Sequence, residues 1–243
     1  MVGMIFAAGL GTRLKPLTDT MPKALVPLGG KPLLQWQVEK LRDAGIRDII
    51  VNVHHFPDMI IDTIRRNDGW GCNIRISDER DCLLDTGGGL KKAVSQLSAF
   101  SIQHSAVLAC NVDILSNLDI RAVVDSYTSC TSSTSLLVVS ERETQRYLCF
   151  DETERLCGWT NIKTGEVKGQ DGRHLAFSGM QVLSSEMLSR LEDMKEDKFS
   201  LIDFYLHVME EDPLKAYVPK EYRMMDVGKI DQIEEAERFA ESL

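Results

Sequence analysis

A glycine-rich segment carrying three basic residues follows the first apolar run of the chain. It comprises Ala7-Ala8-Gly9-Leu10-Gly11-Thr12-Arg13-Leu14-Lys15-Pro16-Leu17-Thr18, followed by Met21-Pro22-Lys23-Ala24-Leu25. Glycines at the end of a buried strand let backbone N–H groups approach phosphate oxygens, because no Cβ stands in the way. Arg13 adds a forked donor for a terminal phosphate, and Lys23 adds a compact positive charge. The segment therefore favours phosphate binding.

Other interpretations of this segment make different demands on the sequence. A dinucleotide-binding βαβ unit needs G-x-G-x-x-G and an acidic residue about 20 positions later. Leu14 stands at the third glycine position, and residues 29–34 contain no acid. A Walker P-loop needs G-x-x-x-x-G-K-[ST], which the chain lacks. A plain strand–helix turn needs only Gly9 and Gly11. This interpretation stays open, although it does not explain why Arg13, Lys15 and Lys23 lie in the same segment.

Two further signals have the composition of ligand-binding loops. Asp78-Glu79 and the run Asp85-Thr86-Gly87-Gly88-Gly89-Leu90 follow a predicted strand, where an exposed backbone could contact a base edge. The alternative for this run is a flexible helix entry. Asp113 and Asp226 each end an apolar strand, and a nucleotide-bound Mg²⁺ typically takes one or two carboxylates. Either aspartate alone is more often a cap or turn residue.

These segments require alternating strands and helices to position them, and the hydrophobic pattern predicts such elements. The predicted strands are Val2–Ala8, Ile46–Val53, Asn73–Ser77, Ser105–Cys110 and Ser135–Ser140. The predicted helices are Pro32–Ala44, Pro57–Asn67, Gly88–Leu97 and Leu118–Tyr127, and Gly9–Leu28 is a long loop. This order predicts an α/β fold, a three-layer αβα arrangement with a mostly parallel, Rossmann-like sheet.

The pattern changes after about residue 141. Antiparallel strands are predicted at Tyr147–Asp151, Arg155–Thr160, Glu166–Lys168 and Leu175–Leu183. Helices Ser185–Met194 and Ser200–Glu210, a strand Tyr222–Val227 and an acidic helix Ile230–Ser242 follow. We predict a single domain over residues 1–243. Its second half, 141–243, contains a small antiparallel subregion and the last helix, and builds a lid or pocket wall on its first half, 1–140.

Composition excludes several functional classes. The 243 residues are 43% hydrophobic and 27% charged, as in an ordinary soluble domain, which excludes a disordered chain. The net charge of −9 argues against nucleic-acid and anionic-membrane partners. The six cysteines lack zinc-site spacing, and no signal peptide or membrane span is evident. We therefore expect a cytoplasmic protein with reduced thiols.

The phosphate segment resembles the signature of the sugar nucleotidyltransferase family, A-G-x-G-x-R-L-x-P-L-T followed by P-K-x-L. The resemblance extends over nearly the whole chain. Leu84–Leu90 is similar to the family's base-binding glycine run, and Asn111–Asp113 to its metal turn. Phe177–Gly179 resembles the sugar-contacting strand, and Met225–Gly228 the turn with the second metal aspartate.

The resemblance implies a Mg²⁺-dependent enzyme that joins a nucleoside triphosphate to a sugar 1-phosphate and releases pyrophosphate. It implies catalytic roles for Arg13 and Lys23, and metal binding by Asp113 and Asp226. The implied nucleotide-binding residues are Ala8, Gly9, Leu10, Gly11, Thr12, Arg13, Lys23, Glu79, Thr86 and Gly87. The implied sugar-binding residues are Asn111, Ser178 and Gly179. The resemblance also implies that residues 1–140 form the nucleotide-binding half, and residues 141–243 the sugar-binding half with the C-terminal helix.

Within the family, the motifs favour UTP with an N-acetylmuramate 1-phosphate-like sugar, and GTP with mannose or heptose 1-phosphate is the alternative. Val112 replaces the usual glycine of the metal turn, and the frequent Glu-Lys-Pro sugar clamp has no counterpart. Trp159 is a candidate for sugar stacking, although a structural aromatic on a strand fits the sequence better. Whether the chain is a monomer or a homo-oligomer is not decided by the sequence.

Other functional classes make distinct demands. A non-catalytic nucleotide-sugar sensor would be expected to lose one of Arg13, Lys23, Asp113 and Asp226, and all four are present. A glycosyltransferase with a D-x-D metal motif is nearly matched by Asn111-Val112-Asp113, but would lack the basic loop. Release of pyrophosphate separates these classes.

Overall fold

Strands and helices alternate along the first half of the chain, as the hydrophobic pattern predicts. The computed structural model describes residues 1–97, 106–130 and 134–243. The strands are β1 (Val2–Phe6), β2 (Pro27–Leu28), β3 (Lys31–Pro32), β4 (Asp48–Val53), β5 (Asn73–Asp78), β6 (Val107–Asn111), β7 (Ile114–Ser116), β8 (Ser135–Ser140), β9 (Arg146–Phe150), β10 (Leu156–Asn161), β11 (Glu166–Gly169), β12 (Arg173–Leu183), β13 (Leu214–Tyr217) and β14 (Met224–Asp226). The helices are α1 (Leu33–Asp43), α2 (Pro57–Arg66), α3 (Asp85–Val94), α4 (Ile120–Thr128), α5 (Ser185–Glu192), α6 (Leu201–Val208) and α7 (Ile233–Glu241).

The central sheet divides into a parallel part and an antiparallel part. Its order is β11-β10-β9-β12-β6-β1-β4-β5, with β8 paired to β12 and β13 paired to β8. Strands β6, β1, β4 and β5 are parallel to one another, and β9 to β12 form an antiparallel extension. The carboxyl ends of the parallel strands meet at one edge, where open α/β sheets bind ligands.

The sheet is covered on both faces, which confirms the predicted three-layer α/β fold. Ile5 of β1 faces a buried cluster that contains Leu41 of α1. The neighbouring Met4 faces the opposite cluster, which contains Leu90 of α3 and Phe204 of α6. A parallel strand buried on both faces needs apolar residues at successive positions, and β1 has them.

Several boundaries differ from the prediction for local reasons. Helix α3 begins at Asp85 rather than at Gly88, so all three glycines lie inside its first turns. Helix α4 begins after Asp119, whose carboxylate caps it by accepting from two backbone N–H groups. Strand β1 ends at Phe6, before Ala8. Ser105, the predicted start of one strand, lies outside the described residues.

Of the short strands, β14 was predicted, and β2, β3, β7 and β13 were not. Strand β14 falls within the predicted strand Tyr222–Val227, whereas β7 and β13 are each only three or four residues long and carry little periodic signal. Within the described residues, no helix has both the length and the apolarity needed to cross a membrane.

Candidate active site

The loop after β1 is a series of tight turns around Gly11. Gly11 has φ 64° and ψ 25°, the left-handed conformation, and it precedes a single helical turn over Thr12–Leu14. The Thr18 hydroxyl donates to the Gly11 carbonyl oxygen at 2.8 Å. A Cβ on Gly11 would lie 2.8 Å from Thr18 Cγ2 and 3.1 Å from Lys23 Cβ. Glycine is therefore required here by both backbone conformation and close packing.

This loop forms one wall of a cavity of about 600 Å³ at the carboxyl edge of the parallel strands. Its wall contains most of the predicted nucleotide-binding residues: Ala8, Gly9, Leu10, Gly11, Thr12, Arg13, Lys23 and Thr86. Leu83 and Asp85 line the facing wall, and Asn111 and Asp113 line the end of β6. Ligand sites usually occupy about 300–1,000 Å³, so the size suits a small molecule.

The two predicted metal aspartates meet through a two-stranded ribbon. Strand β14 pairs with β7 so that Asp226 lies opposite Ile114, and the Val227 N–H donates to the Asp113 carbonyl oxygen at 2.8 Å. Burial and the nearby Asp113 carboxylate raise the pKa of Asp226 above its usual value. Lys23 Nζ forms an ion pair with Asp113 Oδ2. Carboxylates that repel each other beside a phosphate loop are a donor set suited to a divalent cation.

The Arg13 side chain extends from the loop after β1 towards the Asp226 carboxylate. A Cβ on Gly228 would lie 2.9 Å from Arg13 Nη2 and 2.8 Å from Asp226 Oδ1. The guanidinium and the carboxylate therefore approach each other across a glycine, and the positive charge of Arg13 acts to lower the pKa of Asp226 against the larger effect of burial. Arg13, Lys23, Asp113 and Asp226 thus form one cluster at the mouth of the cavity.

Glu79 does not line this cavity, contrary to its predicted contact with the base. Its side chain is 1% exposed, and both carboxylate oxygens are occupied. Oε1 accepts from Asn52 Nδ2 at 2.7 Å, and Oε2 accepts from the Leu84 N–H at 3.1 Å. Asn52 Oδ1 in turn accepts from the Ala7 N–H at 2.7 Å. Asn52, which itself lines the cavity, and Glu79 behind it therefore link the two walls.

The glycine run also differs from the prediction of an exposed backbone. The Gly87 N–H donates to the Phe199 carbonyl oxygen at 2.9 Å, and Gly87 is buried. A Cβ on Gly88 would lie 2.0 Å from the Asp197 carbonyl oxygen. These glycines are needed because the segment between α5 and α6 packs directly on α3. That segment contributes Lys198 to the cavity wall, which the sequence alone did not indicate.

Of the predicted sugar residues, only Asn111 reaches the cavity wall. Ser178 is completely buried and lies with Gly179 at an irregularity in the pairing of β12 with β8. Gly179 has φ 72°, and a Cβ there would lie 3.0 Å from Asn111 Nδ2. Ser178 and Gly179 therefore lie behind Asn111, where Gly179 leaves room for its side chain.

A second cavity, of about 890 Å³, adjoins the first through Arg13 and the turn that carries Asp226. Arg142, Arg146, Trp159 and Lys229 line it together with Arg13 and Asp226. Trp159, considered above as a sugar-stacking or structural residue, is thus on a cavity wall. The sequence analysis missed the other three. The only available signal was the polar run of residues 141–146 directly after strand β8.

The chain is similar in sequence to known nucleotidyltransferases. The family model described as Nucleotidyl transferase matches residues 2–242. An N-acetylmuramate alpha-1-phosphate uridylyltransferase from Neisseria meningitidis serogroup B is 32% identical over 79% of each chain. One from Caulobacter vibrioides is 39% identical over 51% of this chain, and the match spans half of that relative's length. A mannose-1-phosphate guanyltransferase from Kluyveromyces lactis is 32% identical over 60% of this chain and 40% of its own.

Solved structures of similar proteins share the fold. HddC from Yersinia pseudotuberculosis, in complex with GMP-PN, superimposes with a TM-score of 0.75 at 26% identity, covering 99% of this chain and all of its own. A putative glucose-1-phosphate thymidylyltransferase from Bacillus anthracis gives a TM-score of 0.81 at 18% identity, over 100% of this chain and 96% of its own, which supports the fold alone. Because the family model spans almost the entire chain, the protein belongs to the nucleotidyl transferase family of enzymes.

Proposed function

We propose that the protein transfers a nucleotidyl group from a nucleoside triphosphate to a sugar 1-phosphate. An oxygen of the sugar phosphate attacks the α-phosphorus, the bond from that phosphorus to the β-phosphate oxygen breaks, and pyrophosphate leaves with the bond's electron pair. No protein nucleophile is needed, so catalysis consists of positioning and charge stabilisation. The two predicted halves, 1–140 and 141–243, bring the nucleotide and the sugar phosphate together.

The convergence of Arg13, Lys23, Asp113 and Asp226 carries this proposal. Arg13 and the N–H groups of Leu10–Thr12 bind the leaving pyrophosphate, and Lys23 stabilises charge that develops at the α-phosphate. Thr86 and Asp85, on the facing wall, contact the nucleoside. Glu79 and Gly87 support that wall from behind rather than touching the base.

Asp113 and Asp226 are the residues that would hold Mg²⁺. The fit rests on the donor set, because the two aspartates meet where the Val227 N–H donates to the Asp113 carbonyl oxygen. The Asp113 charge that contributes to the raised pKa of Asp226 would be offset by a bound cation. Bound Mg²⁺ would neutralise phosphate charge and act as a Lewis acid. Lys23 pairs with Asp113 in this structure, so its ammonium lies beside a carboxylate that would hold Mg²⁺ and on the wall of the proposed phosphate site.

We infer UTP and an N-acetylmuramate 1-phosphate-like sugar as the substrates, with GTP and mannose or heptose 1-phosphate as the alternative. The uridylyltransferase from Neisseria meningitidis, matched over 79% of both chains, supports the first pair. The complex of HddC with GMP-PN and the guanyltransferase relatives support the second.

A substrate matrix tests the proposal. Four nucleoside triphosphates are combined with a panel of sugar 1-phosphates, and pyrophosphate release is measured with Mg²⁺ and with EDTA. We expect turnover for one base with few sugars, abolished by EDTA and by Asp226→Asn. Absence of turnover in every combination would contradict the proposed reaction.

A further inference from the structure

The second cavity carries more positive charge than the proposed reaction requires. Its cationic side chains are Arg13, Arg142, Arg146 and Lys229, and its carboxylates are Glu143 and Asp226. Among the described residues, none of the four cations forms an ion pair within 4 Å. Other cations of the same antiparallel region do, since Lys168 pairs with Asp203 at 3.0 Å and Arg173 with Glu141 at 2.6 Å.

The four cations divide into an inner and an outer pair. Arg13 Nη2 and Asp226 Oδ1 lie 2.9 Å and 2.8 Å from the position that a Cβ on Gly228 would take. The Arg142 guanidinium donates to the Phe177 carbonyl oxygen at 3.0 Å, which holds it on the wall of the second cavity. Arg13 and Arg142, the inner pair, line this cavity together with Asp226, and the 1-phosphate of the proposed substrate would bind there.

The outer pair comes from two different parts of the chain. Arg146 is the first residue of β9, and the pairing of β9 with β10 places it on the same face of the sheet as Trp159. Lys229 follows the turn that carries Asp226. A sugar that extends from the inner pair along this wall would bring its substituents to Arg146 and Lys229.

We propose that the second cavity binds an anionic substituent of the sugar, a carboxylate or a second phosphate, and that Arg146 and Lys229 select for it. This inference rests on the proposed function and names the substrate class of the same site. Both side chains are exposed and solvated in the free protein, and a neutral sugar offers them no opposite charge. A carboxylate or phosphate matches the forked guanidinium geometry of Arg146 and takes a point charge from Lys229.

Matched sugar pairs test this inference. N-acetylglucosamine 1-phosphate is compared with its lactyl ether, N-acetylmuramate 1-phosphate, and glucose 1-phosphate with glucuronate 1-phosphate and glucose 1,6-bisphosphate. We expect kcat/KM for at least one acidic member to exceed that of its neutral partner tenfold or more. The carboxylate and bisphosphate arms identify which anion is selected.

Substitutions test whether Arg146 and Lys229 are the residues that select the anionic sugar. Arg146→Gln and Lys229→Gln should each reduce the acidic-to-neutral ratio at least threefold, through a higher KM for the acidic sugar, and Arg146→Lys should restore part of it. Lys163→Gln, which removes one charge from the exposed β10–β11 turn outside the cavity, should leave the ratio unchanged. A wild-type ratio near one, or equal losses for both sugars in Arg146→Gln, would overturn the inference.

Equilibrium binding separates this inference from the proposed function. The same sugar pairs are titrated by isothermal calorimetry into wild-type protein and Arg146→Gln. If the acidic sugar bound more tightly but no sugar turned over, the anionic site would be supported and only the proposed reaction would be rejected. If both sugars of a pair turned over with equal dissociation constants and equal kcat/KM, only the anionic site would be rejected.

Discussion

Replacing Lys23 with methionine should strengthen metal binding while it lowers kcat. The Lys23 side chain is 10% exposed and its ammonium pairs with Asp113, whose side chain is 19% exposed. In the ligand-free protein, Lys23 and a divalent cation therefore compete for one carboxylate. During the proposed reaction, the same ammonium stabilises phosphate charge. Methionine is a similarly long, uncharged side chain, so the variant removes the charge with little change in packing.

The expected effect on metal affinity and the expected effect on kcat differ in size and direction. Opposite unit charges 4 Å apart interact by about 4 kcal/mol at an effective dielectric constant of about 20. Partial exposure reduces this value, and we expect about 1.4 kcal/mol to appear as a tenfold tighter dissociation constant for the metal. Loss of a preorganised charge-stabilising group lowers kcat by about 10²- to 10³-fold.

The assay uses Mn²⁺ as a spectroscopic substitute for Mg²⁺. Its dissociation constant is measured by electron paramagnetic resonance without nucleotide, and pyrophosphate release is measured separately. Lys31→Met is the matched control, because Lys31 also pairs with a carboxylate, that of Glu39, but lies outside both cavities. The control should change neither quantity more than twofold.

One result would refute this reasoning. If Lys23→Met bound Mn²⁺ no more tightly than the wild-type protein and retained its turnover, Lys23 would neither compete for Asp113 nor act on the phosphates. Tighter Mn²⁺ binding with normal turnover would support competition between Lys23 and the metal for Asp113, and would reject a catalytic role for Lys23.

Three other substitutions give separate tests. Gly88→Ala should destabilise the protein by about 1–2 kcal/mol, as a lower melting temperature, because the new Cβ meets the Asp197 carbonyl at 2.0 Å and overpacking outweighs the gain in helix propensity. Gly9→Ala, which has no atom within 4 Å of the new Cβ, should keep its melting temperature and raise KM for the nucleotide. Burial lowers the pKa of Lys40 to about 8, so between pH 8 and 10.5 the unfolded chain binds more protons and this group's contribution to stability rises with pH. In urea denaturation, raising the pH from 8 to 10.5 should therefore stabilise the wild-type protein by about 3 kcal/mol relative to Lys40→Met, and a stability difference independent of pH would contradict the buried charge.

The fold and the phosphate loop were predictable because their signals are local. Apolar runs such as Val2–Phe6 identify buried parallel strands, and the loop from Ala8 to Arg13 combines glycines with cations over a few residues. The structure brings these residues to one cavity wall as expected. Their catalytic roles remain predictions.

The rest of the site depends on contacts between distant segments. Glu79 resembles a ligand-binding acid in sequence, and only its two hydrogen-bond partners, Asn52 and the Leu84 N–H, show that its carboxylate is already occupied. The burial of Gly87 could not be predicted, because the segment that covers it contains Phe199, which lies more than 100 positions later in the sequence. The contribution of Arg146 depends on how the antiparallel extension folds back beside β14.

The hydrogen-bonded chain from Ala7 through Asn52 and Glu79 to Leu84 also restricts how this enzyme can move. One carboxamide and one carboxylate, both almost completely buried, tie the phosphate loop to the segment that faces it. Opening the cleft between these two walls would leave buried polar groups without partners, at a cost of about 1–3 kcal/mol for each group. The nucleotide therefore enters a cleft of fixed width. Closure around the two substrates would therefore have to involve the antiparallel extension, which is hydrogen-bonded to the parallel strands through β12 and β6.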